Sequence, residues 1–153
     1  MDSRDFKTMF GDVAKESGFE SAFGGWWKES SETIVVLDLQ KSNFNNLYYL
    51  NIKIYVQGIS GKRYTRSKNL VKKDVGDIFR RQPPAYSSVL DIDPAENDSM
   101  RKDKLEKMFL EFLVPFADKA LSKSGIVELA EKAEIYLPPA VKAWLSQQND
   151  GTV

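Results

Sequence analysis

Hydrophobic positions along the chain change period twice. Phe6, Met9, Phe10 and Val13 fall at i, i+3, i+4 and i+7, which predicts a helix over residues 4–17, with Gly18 as its stop. Beyond it the period drops to two. Residues 19–23 predict a short strand ending at Gly24-Gly25. Residues 26–29 and 33–40 predict a hairpin turning at Ser30-Ser31. After the turn-forming run Asn43-Phe44-Asn45-Asn46, residues 47–59 alternate most clearly. Leu50, Ile52, Ile54 and Val56 share one face; Tyr49, Asn51, Lys53, Tyr55 and Gln57 share the other.

Residues 60–82 are polar and basic, with a helical turn expected near 75–80 and a break at Pro83-Pro84. Residues 86–92 are expected to return as a last strand. Asp93-Pro94 signals a helix start. A long helix is expected over 98–121, with Leu105, Met108, Phe109, Phe112 and Phe116 as its buried stripe and Pro115 kinking or dividing it. Shorter helices are expected at 125–133 and 139–146, then a frayed tail over 147–153. The order predicts an α+β domain over 1–153: an antiparallel sheet of about four strands, with the N-terminal and C-terminal helices packed on one face.

Adjacent tryptophans at 26 and 27 must point to opposite faces of a strand. With a turn at Ser30-Ser31, Trp26 lies opposite Val35 and Trp27 opposite Ile34. Thr33, Val35, Leu37 and Leu39 form the more apolar face of the next strand, so Trp26 is expected in the core. Trp27 is expected on the second face with Asp38, Gln40, Tyr49, Asn51, Lys53 and Tyr55. Left open, that face offers aromatic anchors with polar tips to a protein partner.

Composition narrows the chemistry. The 153 residues carry 22 basic and 22 acidic side chains and neither cysteine nor histidine. That excludes disulfides, thiolate catalysis, cysteine-ligated metal and histidine acid–base chemistry. No GxSxG, P-loop or GxGxxG pattern occurs, and no cofactor is expected. The start MDSRDFKTMF lacks a signal-peptide pattern, and no apolar run reaches the ~18 residues of a membrane span. A cytoplasmic location is expected.

Three weaker signals remain. Between Lys62 and Arg81 basic residues outnumber acidic ones, and Lys62, Arg63, Arg66 and Lys68, with Tyr64 among them, are candidates for phosphate or nucleic-acid contact. A solvated loop is the plainer account. Asp91, Asp93, Glu96 and Asp98 do not match a calcium loop and read as helix-start acids. Asp38 and Lys53 could pair across strands, as a structural pair or, in a dry pocket, as acid–base groups. A pocket beside Asp38 is what an enzyme acting on a small or phosphorylated molecule would require.

One resemblance spans most of the chain. The helix ending in Gly18-Phe19-Glu20, the Trp26-Trp27-Lys28 group, the strand Leu37-Asp38-Leu39-Gln40-Lys41-Ser42, the strand Leu50-Asn51-Ile52-Lys53 and the kinked helical region together resemble the bacterial domain-of-unknown-function family DUF4304, over about residues 5–121. Residues 122–153 form a helical extension outside the likeness. The resemblance implies a compact intracellular α+β protein and carries over no catalytic residue. It fits a partner-binding role, of which an immunity-type inhibitor of a toxin is one form.

Overall fold

The computed structural model describes residues 1–149. Helix α1 spans Ser3–Glu16. Asp2 caps it by accepting from the Asp5 N–H at 2.8 Å, and Gly18 ends it at φ +93°. Strands β1 (Glu20–Ala22), β2 (Gly25–Glu29), β3 (Thr33–Lys41), β4 (Tyr48–Val56) and β5 (Ile78–Arg81) form one antiparallel sheet in chain order. It has five strands where about four were expected. Phe23 and Gly24, both at positive φ, make the tight β1–β2 turn.

The β2–β3 turn is displaced from expectation. Ser30 N–H donates to Thr33 C=O, so Ser31 and Glu32 are the turn residues. Trp26 therefore faces Leu37 and Trp27 faces Val36. The register moves by two residues, and a shift of two keeps each side chain on its expected face.

Trp26, Val35, Leu37, Leu39, Leu50, Ile52, Ile54 and Val56 enter the main core. The helices cover this face: α1, then α3 (Asp98–Met108), α4 (Val114–Ala120), α5 (Lys123–Glu131) and α6 (Pro139–Asn149). Pro115 divides the long helix as expected. The break takes the form of a π-helical turn, Phe109–Leu113, ahead of the residue that lacks an N–H. The end of α4 is tied to the β2–β3 turn. Thr33 Oγ1 donates to Ala120 C=O at 2.7 Å and Ser30 Oγ to Leu121 C=O at 2.5 Å.

Three local expectations fail. The helical turn lies at α2, Lys68–Lys72, and residues 78–81 are strand β5. Residues 84–90 form a 3₁₀ segment, leaving only a Leu47–Asp91 bridge in place of a strand. The Asp93-Pro94 start signal is not used, although the expected start at 98 holds: helix α3 begins at Asp98 under Asn97, whose Oδ1 takes the Met100 N–H. The expected frayed tail meets helix α6 through residue 149; residues 150–153 lie outside the described residues.

Candidate functional site

The second face of the sheet is half covered. Among the described residues no side chain of the C-terminal helices joins the apolar cluster on it; those of α2 do. Ser67 caps α2 by accepting the Leu70 N–H at 3.3 Å. Leu70 and Val71 then pack on Trp27, Ile34, Val36 and Tyr55 as a second apolar cluster. Gly25 makes the approach possible, since a Cβ there would lie 2.9 Å from Val71 Cγ1 and 3.1 Å from Leu37 O. Two polar tips from β4 hold the C-terminal carbonyls of α2. Tyr55 Oη donates to Leu70 C=O at 2.7 Å, and Lys53 Nζ to Val71 C=O at 2.5 Å.

The open-face expectation is therefore corrected for five of its seven residues, Asp38 and Asn51 being buried along with the three that follow. Trp27 is fully buried, with Nε1–H donating to Ala22 C=O at 2.7 Å. Tyr55 is buried beneath α2, and Lys53 is 4 % exposed. Burial holds the Lys53 ammonium below the ordinary lysine range, partly offset by the nearby Asp38 carboxylate. The expected Asp38–Lys53 cross-strand pair also fails. Asp38 lies opposite Asn51 and Lys53 opposite Val36. Asp38 Oδ1 takes its ion pair from Lys72 on α2 at 2.8 Å.

Beyond the end of α2 the face opens. Asp38, Gln40, Asn51, Lys53, Lys72, Lys73, Asp74, Val75, Phe79 and Arg81 line a hollow of about 490 Å³. Four cations there face two carboxylates. Asn51 Nδ2 donates to Gln40 Oε1 at 2.9 Å, and Arg81 Nε donates to Asn51 Oδ1 at 3.1 Å. The Arg81 guanidinium also stands 4.2 Å from the Tyr49 ring centroid, in cation–π contact. Asp38, Gln40, Tyr49 and Asn51 thus meet at one place, as the shared face predicted. Lys72, Val75, Phe79 and Arg81 join them without having been foreseen. For Phe79 and Arg81 the signal was the alternation Ile78-Phe79-Arg80-Arg81, masked by an arginine at an inward position.

Of the four basic candidates in the segment, only Arg66 is committed elsewhere. Arg66 Nε donates to Glu29 at 2.6 Å and its Nη2 to Glu20 at 2.9 Å, with the guanidinium 5.6 Å from the Trp27 ring. Gln57 pairs with the Tyr64 main chain in both directions, at 2.9 and 2.7 Å. Those contacts strap residues 64–66 to the sheet. Lys62, Arg63 and Lys68 stay exposed. Of the acids at 91–98, Glu96 pairs with Lys104 and Asp91 Oδ1 accepts the Asp93 N–H at 3.1 Å. No helix among the described residues is long and apolar enough to cross a membrane.

Comparison with known proteins agrees with the family resemblance read from the residues. The chain belongs to the family described as domain of unknown function DUF4304, whose model matches residues 10–119. No curated protein matches it. No solved structure matches it.

Proposed function

We propose that this family member is a non-catalytic binding protein that docks a partner protein at the open half of its second sheet face. The observation carrying this reading is the composition of that half. A cationic hollow is flanked by exposed Val75 and Phe79 and by the stacked Tyr49–Arg81 pair. Aromatic and arginine side chains around a desolvated polar centre are the usual anchors of protein interfaces. The excess of cations calls for an acidic side chain on the partner. The tied state of the polar groups supports binding over chemistry: Lys53 is held by a carbonyl, Asp38 by Lys72, and Arg81 by Asn51. An immunity-type role is one instance, with a toxic enzyme as the partner.

The test is capture from nuclease-treated lysate by the tagged chain, with Phe79→Ala and Arg81→Ala run alongside. Both side chains are exposed, so both variants should melt close to the parent. One stoichiometric protein held by the parent and lost from both variants is the expected result. Equal capture by all three chains would remove the docking surface from this face.

A second reading has one observation in its favour. The hollow beside Asp38 is the pocket that an enzyme or receptor for a small anionic molecule would require. It predicts a metabolite that raises the melting temperature of the parent and not of Lys73→Ala.

A further inference from the structure

The opposite face of the sheet carries a second hollow, of about 620 Å³, between α1 and the β1–β2 hairpin. Arg4, Lys7, Thr8, Gly11 and Lys15 recur along α1 at spacings of three and four, so they share one side of the helix, and all five line the hollow. None of its three basic side chains has an ion pair among the described residues. Asp12 is the one acid in the lining, leaving an excess of two positive charges.

Trp26 supplies the second observation. It is 8 % exposed, and its indole N–H has no acceptor among the described residues, whereas the neighbouring Trp27 indole donates to Ala22 C=O. That nitrogen is not enclosed by protein: it opens on the hollow, where an acceptor can reach it. The nitrogen edge of Trp26 lies against Gly11, where a Cβ would stand 3.2 Å from Nε1 and 3.5 Å from Cζ2. Glycine weakens a helix interior relative to alanine, and here its missing side chain leaves room beside the donor. Trp26 and Gly11 both line the hollow.

We propose that this hollow binds the phosphate group of a small molecule, with Trp26 Nε1–H, Arg4 and Lys7 as its donors. A phosphate monoester carries a charge of about −1.5 to −2 at pH 7 and three acceptor oxygens. That charge matches the lining, and the oxygens match an unpaired N–H set among guanidinium and ammonium groups.

The experiment follows the indole ¹H–¹⁵N resonances of the three tryptophans as inorganic phosphate is added at constant ionic strength. Trp26→Phe assigns the peak. The expected result is a saturable shift of the Trp26 indole with the Trp27 indole unmoved, since Trp27 is already paired inside the fold. The Arg4→Gln/Lys7→Gln variant should weaken Kd by about tenfold or more, equivalent to about 1.4 kcal/mol. Gly11→Ala should suppress the shift by crowding Nε1. A Trp26 indole that stays still, or drifts without saturating, overturns the site. So does an undiminished shift in the Arg4→Gln/Lys7→Gln variant. An equal response to acetate overturns the assignment to phosphate.

Discussion

Trp26 and Trp27 differ by one position and stand in different layers, each with a glycine at its side. Gly11 lies against the Trp26 indole, and Gly25 lets α2 close over the Trp27 cluster. Trp27 is therefore a structural residue, wedged beneath α2 and braced by the Arg66 guanidinium and the Phe23 ring edge. Truncating it opens a large cavity and removes the hydrogen bond to Ala22. Trp27→Ala should cost roughly 3–5 kcal/mol, read as a lowered urea midpoint. A loss below about 1 kcal/mol, the range of surface changes, would contradict the buried placement. Phe79 and Arg81 are the side chains whose removal should leave stability close to the parent, because both stand exposed at the rim of the hollow.

Among the elements, α2 is the least self-sufficient. Five residues are too few for a helix to hold in water. It persists through Leu70 and Val71, through the carbonyl bonds from Tyr55 and Lys53, and through the strap at 64–66. Arg66→Ala removes both carboxylate bonds of that strap and should speed amide exchange over residues 64–74 while the β3–β4 amides keep their protection. Uniform acceleration would mean instead that the strap and the sheet open together. This element also marks where sequence reading stops. The two-faced sheet was legible because period-two parity survives a two-residue error in the turn. The lid over half of one face was not, because two apolar residues within a basic run produce no period. The tips that anchor it, on Lys53 and Tyr55, look solvent-facing in a string of letters. Strand β5 was hidden for a related reason. Arg80 points inward and stacks on Phe112 and Phe116, 4.9 and 5.4 Å from their ring centroids, so an apolar contact is made by a charged residue. The Asp38 neighbourhood was only half legible: the strand residues share a face by periodicity, whereas Lys72 and Lys73 arrive through the tertiary placement of α2.

Across the whole molecule, buried titratable groups set the response to alkali. Burial raises the Tyr55 and Tyr64 phenols well above their ordinary value of 10.0, with further upward contributions from Asp74 on Tyr55 and from the Asp77 hydrogen bond on Tyr64. The native state then keeps protons that the unfolded chain releases, so stability falls as pH rises above about 10. Lys53 acts in the opposite sense. Its native pKa lies below 10.5, so it contributes rising stability up to that pH and nothing further above it. Urea midpoints should therefore decline above pH ~10, and the decline should be shallower in Tyr55→Phe. An unchanged slope in that variant would assign the loss to other groups.

The lengths of the strands decide how the protein can meet its neighbours. The nine-residue strands β3 and β4 are interior, whereas the sheet ends in β1 with three residues and β5 with four. Short edges give another chain little backbone to extend, which protects against edge-to-edge fibre growth. They also limit any partner that would add a strand of its own. The docking proposed for the second face would therefore rest on side chains, and a peptide probe of it should be built around a carboxylate and an apolar contact for Phe79 rather than around an extended backbone.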